Sequence, residues 1–203
     1  MTSVGSDSKS LAFERFFERF RGRLGKRAPT FAFALEHIAA RGPVNIVETG
    51  CLRTPGNWAG DGCSSALFAS FIGNFGGTLT SIDIDPAACA ECRRQTERYS
   101  VDNHVIEGDS IIALAEIASS GRKIGLLYLD SYDFDASSPR GSQMHSLAEA
   151  QAAQDAVVDD GIILIDDVGL THRGKGGMSI PWLESVGWEQ VAEGYQVVLM
   201  RKG

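Results

Sequence analysis

Carboxylates recur along this 203-residue chain just where short apolar runs end. Glu48 and Gly50 follow NIV, Asp83 and Asp85 follow TLTSI, and Asp109 with Ser110 follows HVIEG. Asp130 closes IGLLYL, and Asp166 and Asp167 close GIILI. Aspartate is a common turn residue, which accounts for any one of these but poorly for all five together. A carboxylate at a strand end accepts hydrogen bonds from adjacent hydroxyls, so Asp83 is suited to a ribose. A dinucleotide would need GxGxxG directly after the first strand, to bring backbone donors to a pyrophosphate. Here the chain reads ETGCLRTPGNWAGDGCSS, so a nucleoside cofactor lacking a pyrophosphate fits better.

Other reactive side chains are fewer. His145 lies one helical turn before Glu149, a spacing that orients and charges an imidazole; a packed helical histidine is the bland alternative. Asp133, His145 and His172 are candidate bases. His172, Arg173 and Lys175 form a local basic cluster after the last apolar run, expected over a substrate mouth or simply solvated. Cys89 and Cys92 form a CAEC; without a second such pair they read as two small apolar residues on one helix face.

These groups need elements to carry them. Strand patterns at residues 45–49, 78–85, 104–109, 124–130 and 161–167 alternate with helical ones, which predicts a parallel sheet covered on both faces. The helix after the fourth strand is read through QMHSLAEAQAAQDAVV. The tail differs, because WEQVAEG and YQVVLMRK are joined by a tight turn at Glu193-Gly194 and can pair only as an antiparallel hairpin. The expected fold is therefore α/β: a Rossmann-like open sheet, mostly parallel and seven-stranded, with an antiparallel C-terminal hairpin and helices on both faces. Ahead of it, Phe13, Phe16, Phe17, Phe20 and Leu24 lie at helical spacing, followed by a helix near Thr30 to Arg41 that stops at Gly42-Pro43. Residues 1–43 are read as N-terminal helices, a cap or packing segment, and 44–203 as the main domain. Packing on the sheet is preferred over a lid or a dimer face. Trp182 with Trp188 is a further candidate for a homodimer interface, with core burial an equal account.

Nineteen Lys and Arg against 26 Asp and Glu give a formal charge of −7, which disfavours nucleic acid and anionic membrane as partners. No apolar run reaches the ~20 residues of a membrane span, no signal-peptide pattern is seen, and the four cysteines are too few for a disulfide scaffold. A cytoplasmic protein acting on a small molecule is expected.

The element order, with VETG and a later GDGCSS, then SIDIDP, EGDS, LYLD, LIDD and the final hairpin, resembles the class I S-adenosylmethionine-dependent methyltransferases. LYLDSYDFD followed by GIILIDDV is similar to the small metal-dependent O-methyltransferases of the catechol and macrocin type. The resemblance covers about residues 44 to 203. It implies S-adenosylmethionine as cofactor, with Glu48 and Gly50 at its methionine part, Asp83 at the ribose, and Asp109 with Ser110 at the adenine. Asp130 is placed beside cofactor and acceptor alike. The first loop departs from the family by an insertion from Leu52 to Asp61, which makes Trp58, Asp61, Gly62 and Ser64 candidates for the cofactor carboxylate.

The resemblance also makes Asp130, Asp166 and Asp167 ligands of a divalent cation, magnesium above all. Electrostatics points the same way. Two unit charges about 4 Å apart repel by about 4 kcal/mol at an effective dielectric near 20, so three clustered carboxylates need a cation or raised pKa values. Hard oxygen ligands favour magnesium, calcium or manganese, and an open coordination position would take the acceptor's oxygens. The expected reaction is O-methylation of a small-molecule hydroxyl, with Asp130, Asp133 and His145 as catalytic candidates. A nicotinamide-dependent oxidoreductase, a catalytically silent cofactor-binding subunit, and another chemistry on the same sheet stay open.

Overall fold

The computed structural model describes residues 4–61, 63–99 and 101–202, with side chains from residue 9 onward. After helices α1 (Val4–Leu24) and α2 (Ala28–Ala39), strands and helices alternate: β1 (Val44–Thr49), α3 (Ser64–Phe75), β2 (Gly77–Asp83), α4 (Pro86–Thr96), β3 (Asn103–Glu107), α5 (Ser110–Ser119), β4 (Ile124–Leu129), α6 (Arg140–Ala153) and β5 (Val157–Ile165). Helix α7 (Gly176–Ser185) and the hairpin β6 (Trp188–Glu193) and β7 (Val197–Arg201) complete the chain. The strands form one sheet in the order β3-β2-β1-β4-β5-β7-β6. Strands β1 to β5 are parallel, and β7 runs antiparallel between β5 and β6. This is the expected seven-stranded architecture. Strand order reverses between β1 and β4, which opens a crevice at their carboxyl ends.

Alternation along the strands feeds two cores. Ile46, Leu126, Tyr128, Ile162 and Leu164 face α1, α2 and α3, while Val47, Leu127, Leu129, Ile163 and Ile165 face α5, α6 and α7. The aromatic stripe of α1 is buried in the first core, with Phe16 edge-on to Phe71 and Phe75. Trp188 is enclosed in the second. The aromatic stripe of α1 and Trp188 are thus buried within the subunit, while Trp182 is half-buried against the second core.

Three boundaries differ from the sequence reading. Helix α6 ends at Ala153, because Val157 already pairs with Ile124. The register of β5 then jumps, so that Leu126 next faces Ile162. The hairpin turn spans residues 194–196, one residue longer than expected. Helix α7 has no counterpart in the sequence reading: GGMSIPWLES carries two glycines and an internal proline, and a packed apolar face holds it.

Candidate active site

A cavity of about 560 Å³ lies across the carboxyl ends of the parallel strands. Gly50, Asp61, Asp83, Asp109, Ser110, Asp130, Asp133, His145 and Asp167 line it. The structure therefore brings nine of the candidate residues to one place. Asp83 receives the Cys51 amide on one carboxylate oxygen and the Asp85 amide on the other, both at 2.9 Å, which fixes its orientation at the end of β2. Asp109 caps α5 by accepting from the amides of Ile111 and Ile112. Gly50 is required by geometry: its φ is +76°, and a Cβ there would meet the Asp130 carbonyl oxygen at 2.6 Å.

Three expectations are corrected. Glu48 is fully buried behind the cavity, where its carboxyl accepts from Ser64 at 2.7 Å and Ser81 at 2.6 Å. Burial raises its pKa to about 8. Ser64 is consumed by this contact and does not line the cavity. Trp58 turns the other way, onto Phe20 and Arg23. Gly62 lies outside the described residues. Within the same loop, Arg53 does what the motif reading missed, joining Asp61 at 3.2 Å to Asp133 at 3.0 Å across the cavity mouth.

His145 is half-buried on α6, with its Nε2 3.0 Å from Ser110 Oγ and 3.4 Å from Glu149. The hydrogen bond to Glu149 raises its pKa above the ordinary histidine value. Glu149 also accepts from Ser131 at 2.6 Å, and the Tyr132 ring lies 5.4 Å from the imidazole. The expected i, i+4 pair is formed and opens onto the cavity.

Asp130, Asp166 and Asp167 do converge, but on protein cations. Lys175 Nζ lies 2.7 Å from Asp130 and 3.1 Å from Asp167. Arg27 donates to Asp166 at 2.7 Å and lies 3.7 Å from Asp167. Tyr128 donates to Asp166 at 2.7 Å and lies 3.1 Å from Asp130, and the Tyr195 hydroxyl donates to Asp167 at 2.7 Å. Asp166 is fully enclosed behind the cavity wall. Burial and Asp166 push Asp130 upward to about 7 against the pull of Lys175. Burial would raise Asp167 as well, but Lys175 and Tyr195 outweigh it and hold it low. Burial would lower Lys175, yet Asp130 and Asp167 keep it firmly cationic.

The basic cluster is accordingly split. His172 and Arg173 are exposed, whereas the side chain of Lys175 is only 4% exposed. Gly174 makes this possible: its φ is +47°, and a Cβ would lie 1.6 Å from the Asp167 carbonyl oxygen, so the chain passes hard against Asp167 before delivering Lys175. Among the described residues, no group of three His, Cys, Asp or Glu side chains is arranged to hold a metal ion. A donor set whose oxygens face an ammonium and a guanidinium does not fit the expected magnesium.

No family model and no curated protein matches the sequence. Solved structures do match. An O-methyltransferase from Bacillus cereus in complex with S-adenosylhomocysteine aligns with a TM-score of 0.59 at 16% identity, over 84% of this chain and 79% of that one. The fold is that of the class I S-adenosylmethionine-dependent methyltransferases. A TDP-rhamnose 3′-O-methyltransferase of calicheamicin biosynthesis aligns at 0.61 and 13% identity, over 100% of this chain and 97% of that one. The MycE methyltransferase of mycinamycin biosynthesis, in complex with magnesium, S-adenosylhomocysteine and mycinamycin VI, gives 0.61 at 17%, over 95% of this chain but 53% of MycE. This chain thus spans about half of MycE.

Proposed function

We propose that the protein is an S-adenosylmethionine-dependent methyltransferase that modifies a hydroxyl of a small molecule. One observation carries the reading: the cavity at the strand ends of this methyltransferase fold is lined by seven aspartates against one lysine, two arginines and His145. Such a wall favours a cationic ligand over a pyrophosphate. The cofactor's sulfonium is cationic and supplies an activated methyl group.

The chain's own residues then divide the work. Asp83, already oriented by two amides, accepts the ribose hydroxyls, and Asp109 with Ser110 borders the base. Exposed Ile84 supplies apolar surface at the rim. Gly50 and Asp61 flank the methionine end. As the acceptor oxygen displaces sulfur at the methyl carbon, leaving a neutral thioether, the hydroxyl proton would pass to a base. His145 and Asp133 both face the cavity; His145 is the better oriented, while Asp133 is 80% exposed and paired with Arg53. Magnesium is left out of this reading, because the residues expected to hold it are already paired with Lys175 and Arg27.

No helix among the described residues is long and apolar enough to cross a membrane. The four free, buried cysteines support a cytoplasmic setting. Small-molecule acceptors are favoured over nucleic acid by the net charge of −7.

Calorimetric titration with S-adenosylhomocysteine, and with NADH as control, tests the proposal. Saturable binding of the first alone is expected, weakened about tenfold to a hundredfold by Asp83→Ala, the worth of one or two charge-assisted hydrogen bonds. Binding of NADH and not of S-adenosylhomocysteine would overturn it.

A further inference from the structure

We infer that the ammonium of Lys175 takes the place of a divalent cation among Asp130, Asp166 and Asp167, so that this chain binds its cofactor and acceptor without metal. The consequence for the acceptor rests on the methyltransferase reading; the occupancy of the carboxylates does not.

The geometry is that of a cation already in its seat. Lys175 Nζ has three protons and three oxygen partners: Asp130 Oδ1 at 2.7 Å, Asp167 Oδ2 at 3.1 Å and the Asp130 carbonyl at 3.1 Å. The side chain is almost wholly buried, so these contacts are not exchanged for water. From the far side, Arg27 takes Asp166, and the Tyr128 hydroxyl sits between Asp166 and Asp130. A divalent ion entering here would meet two fixed positive charges and would have to displace a lysine whose donors are all used. The close passage of Gly174 over Asp167 holds that lysine in the seat.

This changes what the acceptor must offer. A metal rewards two neighbouring oxygens that chelate it. With an ammonium in that position, its donors spent on protein oxygens, a chelating pair has no advantage, and a single nucleophilic hydroxyl suffices.

Manganese binding to wild type and to Lys175→Ala, followed by electron paramagnetic resonance with S-adenosylhomocysteine present, tests the assignment. Wild type is expected to show no saturable site up to about 1 mM, the weak end for oxygen-ligand sites. Its S-adenosylhomocysteine affinity should change by less than about twofold in excess chelator. Removing the ammonium should uncover a carboxylate-lined space, so Lys175→Ala should gain one manganese per chain, lost again on adding Asp130→Asn. Saturable binding to wild type that Asp130→Asn abolishes would overturn the inference, as would a tenfold loss of cofactor affinity in chelator, or a folded Lys175→Ala that gains no metal. If Lys175→Ala does not fold, the wild-type manganese arm decides. If S-adenosylhomocysteine fails to bind, the methyltransferase reading falls while the manganese result still decides the seat of the cation.

Discussion

Glu48 shows how much a single carboxyl depends on what closes over it. In sequence it is a strand-end acid like the others; in the structure Ser64 and Ser81 seal it from the cavity. Its folded pKa of about 8 lies above the ordinary glutamate value. The folded state therefore holds a proton that the unfolded chain releases between about pH 4.5 and pH 8. Stability linked to this group is fully present below the unfolded value and is lost as pH rises through the folded one. Glu48→Gln carries no such proton. Its stability relative to wild type should rise from pH 5 to pH 8, by on the order of a kcal/mol per pH unit, in denaturant titrations at several pH values. A constant difference across that range would show Glu48 ionised in the folded protein. The strand-end position was legible; the seal was not, because the two serines come from α3 and β2.

The N-terminal helices belong to the fold as elements, not as an appendage. The spacing of Phe13, Phe16, Phe17, Phe20 and Leu24 was plain in the sequence, and the structure buries all five. Phe17 is fully enclosed, stacked on Phe13 at 5.5 Å. Phe17→Ala should cost about 3–5 kcal/mol, read as a lower denaturant midpoint with an unchanged slope. A loss under about 1 kcal/mol would mean that α1 is not part of the cooperative unit. The turn between α1 and α2 also delivers Arg27 to Asp166, across 139 residues of sequence. Nothing near Arg27 announces this pairing. Helix α7 was hidden for a related reason: its local propensity is poor, and contacts with α6 and β6 supply what the sequence lacks.

At the scale of the whole molecule, charge is organised rather than merely abundant. The chain carries −7 overall, and its cavity wall is itself anionic. S-adenosylmethionine carries one more positive charge than S-adenosylhomocysteine, so salt should weaken the first more than the second. Between about 0.05 M and 0.5 M salt the ratio of their association constants should fall severalfold in parallel calorimetric titrations. A ratio independent of salt would place the reacting sulfur away from the aspartates.

Periodicity and punctuation in the sequence determined the strands, the order of helices between the parallel ones, the antiparallel tail and the row of acids at the strand ends. These are local properties: alternation, turn residues and apolar spacing lie within a few positions of one another. Because parallel strands bring their carboxyl ends to one edge, most of the site followed from them. Only the tertiary structure decided which acids face the cavity, which are sealed, and which already pair with a protein cation. Those choices rest on partners such as Arg27, Lys175 and Ser81, brought together by packing from distant parts of the chain. A buried charge is defined by its partner, and a partner 139 residues away leaves no trace in local spacing.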